Sequence, residues 1–223
     1  MYFAKSYTSI SHIFIKFYND TFAIKKISIV GINNLSKEDV LKASGLKYGK
    51  NAFNLSVDQI RNNLEQIKWV KSAVVKRTLP SKFEISIVER VPIAYWQNKD
   101  QLYLVDANGV CMPTIKQFPS LPISRGANAN KAIPKFVKIL KQFPLIEQQI
   151  VFCTFLGNRR WNIDISRGVL VKLPEENVID ALNILLRMGS KDGYFSSDIA
   201  VIDLRVPGRV IISKRDVKKG DTK

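Results

Sequence analysis

The stretch WVKSAVVKRTLPSKFEISIVERVPIAYW, residues 69–96, decides the first part of the fold. It predicts a strand over 69–77, a turn at Leu79-Pro80-Ser81, and a second strand whose apolar face is formed by Phe83, Ile85 and Ile87. Pro92, which comes soon after this second strand, is expected to mark the boundary of the first domain.

Three further elements precede this hairpin. A strand is predicted over about 25–30. Ser36 then caps a helix that ends at Gly45, and Ser56-Val-Asp-Gln59 forms a capping box for a second helix. The order strand, helix, helix, strand, strand predicts a small unit with a sheet on one side and its helices on the other.

The rest of the chain is richer in strands. A meander is predicted over 93–112, followed by a helix near 133–142 and a hairpin whose strands span 161–165 and 169–173. A helix is predicted to start at Pro174 and to end before Gly189. This helix is expected to pack against the sheet. A last strand element is predicted over 199–213; Pro207-Gly208 interrupts it, so its second half is predicted to be an edge strand or a hairpin end.

Composition limits the classes of function. The 223 residues include 35 Lys and Arg against 19 Asp and Glu, a net charge of +16, which leaves nucleic acid, anionic lipid and acidic protein segments as candidate partners. The basic residues are scattered along the chain, which favours a solvated surface over a nucleic-acid groove. The sequence has no run of about 18 apolar residues, so it predicts no transmembrane helix.

The residue types that enzymes need are sparse. The only histidine is His12, and Cys111 and Cys153 follow no metal or redox spacing, so they are predicted to be apolar packing residues. There is no glycine-rich phosphate-binding motif. We therefore predict no catalytic residue, no cofactor and no metal site.

Several motifs occur together in one order. They are Trp69-Val-Lys-Ser-Ala73, Ile85-Ser-Ile-Val-Glu-Arg-Val-Pro92, Arg160-Trp161, Val201-Ile-Asp-Leu-Arg205 and Pro207-Gly208-Arg209. In this order the chain resembles the FtsQ/DivIB family of bacterial cell division proteins from about residue 23 to 213. The resemblance implies an α+β fold, with a small POTRA domain (β-α-α-β-β) followed by a mainly antiparallel β domain with flanking helices.

The resemblance also implies a division of the chain. The POTRA domain is expected over 23–91 and the β domain over 92–213, after a juxtamembrane-like segment at 1–22 and before a basic polar tail at 214–223. Family members carry one transmembrane helix before the POTRA domain, and this chain lacks that helix. The family implies a single-pass protein of the bacterial inner membrane, with this region in the periplasm at the division septum.

The family is a non-enzymatic scaffold, and the resemblance implies that the β domain binds FtsB and FtsL, while FtsK, FtsW or FtsI meet other surfaces. In the last strand, Ile202, Leu204 and Val206 alternate with residues that face outward, so Arg205 is expected to project beside Asp203. The family positions that grip FtsB carry over to Arg205 and Arg160, and the backbone at and after Val206 is expected to pair with an added strand.

Other candidate residues are less specific. Trp161 is either a core residue or an interface anchor. On the second POTRA strand, the family's recruitment surface corresponds to Ser72, Val74 and Val75, which packing explains equally well. Two rival functions stay open: a POTRA module that binds peptides in outer-membrane assembly or secretion, and a basic nucleic-acid-binding protein.

Overall fold

A computed structural model describes the chain over 21–115, at 118, and over 121–166, 168–192 and 198–215. Most of the predicted N-terminal segment and of the predicted C-terminal tail therefore lies outside the described residues. The chain divides between Arg90 and Val91 into two compact units, called unit 1 and unit 2 here. Each unit has its own hydrophobic core.

Unit 1 has the predicted order of elements. They are β1 (Lys26–Val30), α1 (Lys37–Ser44), α2 (Val57–Glu65), β2 (Val70–Thr78) and β3 (Lys82–Glu89). The sheet order is β1-β3-β2, with β1 parallel and β2 antiparallel to β3. Strand β2 is thus one edge of this sheet.

Local signals set the helices of unit 1. The hydroxyl of Ser36 accepts a hydrogen bond from the Asp39 N–H at 3.0 Å, and that of Ser56 accepts one from the Gln59 N–H at 3.3 Å. Gly45 ends α1 in the left-handed conformation, with φ 68°. These capping interactions confirm the helix starts that the sequence predicts.

The helices and strands of unit 1 bury one common face. Every second residue of β3 is buried, and Phe83, Ile85 and Ile87 pack with Val40 of α1 and Leu64 of α2. The opposite face of the sheet is left to solvent. Period-2 burial of this kind fixes the register of the strands.

Unit 2 is built on one large sheet. Its strands are β4 (Pro92–Asn98), β5 (Gln101–Asp106), β6 (Cys111–Pro113), β7 (Ile123–Arg125), β8 (Ile150–Leu156), β9 (Arg160–Ile165), β10 (Val169–Lys172), β11 (Ile199–Asp203) and β12 (Ile211–Lys214). In the described part of the chain the strand order is β12-β11-β10-β9-β8-β7-β4-β5-β6. Most neighbouring pairs are antiparallel, and the parallel pairs are β4 with β7, β7 with β8, and β10 with β11.

The helices of unit 2 are α3 (Ala129–Leu140), the short α4 (Pro144–Glu147) and α5 (Val178–Asp192). Phe136 of α3 and Leu182 of α5 belong to the same core as Ile163 of β9, Val171 of β10 and Ile202 of β11. The residues that alternate with these core positions point to the other face of the sheet. The architecture confirms the α+β class that the sequence predicts.

The predicted limits of α5 are wrong at both ends. The helix starts at Val178, because the Asn177 carbonyl accepts the first turn's hydrogen bonds from Asp180 and Ala181, and Asn177 itself is left-handed with φ 56°. Pro174 lies before the helix and Gly189 lies inside it. A glycine in a helix interior costs only about 1 kcal/mol, which tertiary packing can offset.

Candidate protein-binding edge

The last hairpin of unit 2 forms one edge of its sheet. Ile202 of β11 pairs with Ile212 of β12, and Asp203 pairs with Ile211. The order of strands places β12 outermost, and among the described residues no strand pairs with its outer side. All four residues of β12 are exposed. The prediction that the second half of this element is an edge strand is confirmed.

Besides its pairing with β11, β12 is held in place by contacts of Arg215, the residue that follows it. The Arg215 N–H, just after β12, donates to the Asp198 carbonyl at 2.7 Å. The Arg215 guanidinium reaches past β11 and donates to the Gly168 carbonyl, in the turn before β10, at 3.0 Å. At the other end of the hairpin, the Arg209 N–H donates to the Val206 carbonyl at 3.1 Å.

Asp203 and Arg205 form a two-point ion pair beside this edge. The Arg205 Nη2 lies 2.6 Å from Asp203 Oδ2, and Nε lies 2.9 Å from Oδ1. The Arg205 backbone N–H donates to the same carboxylate at 3.1 Å. The hydrogen bond from the Arg205 side chain lowers the pKa of Asp203, and the carboxylate raises the pKa of Arg205. Both side chains are therefore charged at neutral pH.

Strand register extends this polar surface across the sheet. Asp203 pairs with Lys172 of β10, which pairs with Asn162 of β9, so the three lie in one row on the face opposite the helices. Arg205 lies two residues after Asp203, and Arg160 lies two residues before Asn162. Both lie toward the same end of the sheet, because β9 runs antiparallel to β10 and β11 runs parallel to it. The structure therefore brings Arg160, Asp203 and Arg205 to one face.

Two polar atoms on this face lack partners. Asn162 is 9% exposed, and its Oδ1 accepts no hydrogen bond from the described protein atoms. The Nε of Arg160 is also buried without a described acceptor.

Val206 differs from its predicted position. The sequence alternation places it with Ile202 and Leu204 toward the core, but its side chain is 47% exposed. Strand β11 ends at Asp203, and Val206 begins the turn in which its carbonyl bonds to Arg209. The expectation of a core-facing Val206 is wrong, because strand alternation stops where the turn begins.

Trp161 lies on the helical face of the sheet, not with Arg160. It is 6% exposed, its ring is stacked on Phe136 at 4.8 Å and 8°, and Phe155 lies 4.7 Å away. Of the two interpretations of the sequence, the structure has the core residue. The expectation that Trp161 is an interface anchor is therefore wrong.

The three candidate residues on β2 of unit 1 separate by strand face. Val75 is 9% exposed and pairs with Ile85 in the core, so its assignment to an interface is wrong. Ser72 and Val74 face outward, and Val74 is 65% exposed. Register places them beside Val88 and Val30, which are also exposed and which no sequence motif indicated.

Other kinds of site are not evident in the described ranges. These residues contain no group of three or more His, Cys, Asp or Glu side chains placed to hold a metal ion. Burial raises the pKa of the Cys153 thiol, which keeps it neutral. Among the helices that the structure describes, none has the length and apolar character needed to cross a membrane.

Comparison with known proteins agrees with this arrangement. A model of the FtsQ-type POTRA domain matches residues 22–90, and a model of the C-terminal domain of cell division protein FtsQ/DivIB matches residues 94–205. Cell division protein FtsQ of Rickettsia bellii is 33% identical over 194 residues, which cover 86% of this chain and 73% of the relative. FtsQ of Bartonella bacilliformis is 29% identical over 200 residues, which cover 89% of this chain and 65% of the relative.

A solved structure is also similar. The extracytoplasmic domain of DivIB from Geobacillus stearothermophilus aligns with 46% of this chain and 92% of its own, at 16% identity and a TM-score of 0.35, which is too low to bear on the fold. The two family models together cover most of the described residues. This chain belongs to the FtsQ/DivIB family of cell division proteins.

Proposed function

We propose that this chain is a non-catalytic scaffold of the division machinery that captures a strand of FtsB, in complex with FtsL, along the outer side of β12. The observation that carries the proposal is the edge itself: every residue of β12 is exposed, and its outer side has no strand partner in the described chain. An added strand gains main-chain hydrogen bonds there without displacing any described strand of the sheet.

Side chains beside the edge give the added strand its specificity. Arg205 uses Nε and Nη2 to hold Asp203, and a guanidinium has five N–H donors, so it can also bind a carboxylate of the partner. Arg160, which is half-buried, lies at the same end of this face. We expect an acidic side chain of the partner next to these two arginines.

A second surface would connect other division proteins. Ser72 and Val74 face outward on β2, an edge strand of unit 1, and this is where we place contacts with FtsK, FtsW or FtsI. Family membership supports a protein of the septal inner membrane whose two units lie in the periplasm. A single transmembrane helix would anchor it.

Reversing the charge of Arg205 tests the proposal. Arg205→Glu should weaken the affinity for a synthetic FtsB segment at least tenfold in calorimetry, because it removes donors for the partner's carboxylate and adds repulsion. Arg187→Glu, an exposed residue of α5, changes the net charge equally and should leave the affinity unchanged. Equal affinities of the wild-type chain and Arg205→Glu would refute the role of Arg205.

Backbone methylation of the FtsB segment tests strand addition separately. N-methyl groups at alternate residues block only the N–H groups that point to one side of a strand. One of the two alternating sets should abolish binding and the other should be tolerated. If both sets bind as well as the unmethylated segment, the segment does not pair with β12.

A further inference from the structure

Unit 2 contains a cleft on the helical side of its sheet, away from the face that carries Asp203 and Arg205. Its volume is about 860 Å³, within the range of binding pockets of folded proteins. The rings of Phe136 and Phe155 both pack on Trp161 beneath the cleft; Phe136 and Trp161 are buried, and Phe155 is half-buried. The floor is therefore a rigid apolar surface.

The two walls of the cleft carry opposite charges. Lys131 and Lys135 line it from α3, while Glu176, just before α5, and Asp180, in the first turn of α5, line the other side. All four side chains are exposed. A ligand that lies between the walls thus meets cations along one flank and anions along the other.

A weak ion pair lies among the side chains that line the cleft. Arg159 Nη1 lies 3.8 Å from Glu175 Oε2, and both side chains are more than half exposed, at 59% and 55%. An exposed pair at this distance adds little to stability. A ligand that supplies its own charges can replace this contact at little cost.

The walls also restrict the backbone conformation of a ligand. One wall is the helix α3, and the other is the segment 175–177 with the first turn of α5, so neither wall is a strand whose edge could pair with a ligand. An extended peptide would bury unpaired backbone groups here, whereas an α-helix satisfies its own. An apolar stripe at i, i+3 or i+4 and i+7 would then lie against the accessible apolar side chains of the cleft, Ile139, Phe155 and Ile179.

We propose that this cleft is a second protein-binding site, which takes one amphipathic helix of a partner whose apolar stripe has acidic side chains on one flank and basic side chains on the other. It differs from the edge at β12 in location and in the structure of what it binds. The cleft binds by side-chain packing and charge, and β12 binds by backbone pairing.

Designed peptides probe the site directly. Three stapled helices share one Leu and Phe stripe and carry flanks that are mixed, all Glu, or all Lys; a fourth has mixed flanks and a central proline. A mixed helix can match both walls in one of its two directions, so it should bind the full chain at least tenfold tighter than either uniform helix. The proline should weaken binding at least tenfold. Equal or tighter binding of the all-Glu helix would overturn the proposal, since the charge of +16 would then explain it.

A wall variant makes the test specific to the cleft. Glu175→Lys/Glu176→Lys makes both walls basic and should shift the preference by at least tenfold toward the all-Glu helix. The matched control Asp58→Lys/Asp100→Lys changes the net charge equally at exposed residues outside the cleft and should keep the preference for mixed flanks. Unchanged thermal unfolding shows that both variants fold. A preference that the wall variant leaves unchanged, or that Arg205→Glu abolishes, would place the peptide elsewhere and overturn the proposal.

Discussion

Strands β2 and β12 are both sheet edges, but they are held in place differently. β2 has nine residues, and Val70, Ala73 and Val75 on its inner side are buried. β12 has four residues, all exposed, and depends on β11, a turn and Arg215. Burial fixes the register of β2, whereas the register of β12 is weakly specified. An edge of the second kind can adjust to an added strand at little cost in stability, which suits capture.

The largest expected effect separates the two sides of β2. Val75→Asp should destabilise unit 1 by at least about 3 kcal/mol, because it buries a charge in the core. Val74→Asp, one residue away on the exposed side, should cost under about 1 kcal/mol. Urea unfolding of the two variants checks this. Similar losses at both positions would mean that the outward face of β2 is covered.

Glu89 should account for the next largest effect. Its carboxylate accepts hydrogen bonds from the N–H groups of Asn33, Asn34 and Leu35 and from the Asn34 amide, at 2.7–3.0 Å. Burial raises the pKa of Glu89, but these hydrogen bonds outweigh it and hold the pKa below the ordinary value of 4.5. Glu89→Gln should cost about 1–2 kcal/mol at neutral pH, since the carboxylate is partly exposed.

The sign of this pKa shift also predicts a pH dependence. Because the folded carboxyl has the lower pKa, its stabilisation is fully present above pH 4.5 and is lost as the pH falls through the folded value. Urea unfolding of unit 1 at pH 7 and at pH 3 should show that Glu89→Gln and the wild type differ less at the lower pH. An equal difference at both values would contradict the role of the carboxylate.

Arg215 should have a smaller and local effect. Arg215→Ala removes the hydrogen bond to Gly168 and should speed amide exchange in β12 about fivefold, which corresponds to about 1 kcal/mol of local opening. The melting temperature of the chain should hardly change, and exchange in β2 should not change. Slower exchange in β12 would show that the arginine strains the edge.

The smallest effect is expected at Ile211. It is 51% exposed, so Ile211→Thr should change the free energy of unfolding by less than about 0.5 kcal/mol. The matched change Ile202→Thr, at a buried position of β11, should cost several times more. Chemical denaturation of both variants checks the contrast. Equal costs would mean that β12 is packed rather than exposed.

Local signals explain why unit 1 could be predicted from sequence. Ser36, Ser56 and Gly45 set its helix ends, and the alternation of Phe83, Ile85 and Ile87 sets the inner face of β3. Each signal lies within a few residues of the structure that it determines. The order of elements followed from them directly.

In unit 2, elements that depend on distant partners were missed. β7 has three residues, and β8 is a run of seven mostly apolar residues without alternation; both strands form parallel pairs with residues far along the chain. Nothing near these residues indicates such pairing. The β-branched and aromatic residues of β8 favour a strand, but only tertiary contacts determine which strands β7 and β8 pair with.

The candidate site was predicted only in part, because some of its residues come together through strand pairing that local sequence does not encode. Period-2 alternation placed Asp203 and Arg205 together, and the family motif supplied Arg160. Lys172 and Asn162 complete the row only through the register of β9, β10 and β11, which no single strand encodes. Val75 and Trp161 show the converse, since a motif does not tell which side of a strand faces the core.

Amide exchange by NMR, with and without the FtsB segment, tests the edge at β12 most directly. Binding should slow exchange of alternate amides of β12 at least tenfold, because the N–H groups on its outer side gain acceptors, and should leave β2 unchanged. Tight binding of the segment with no added protection in β12 would contradict the account.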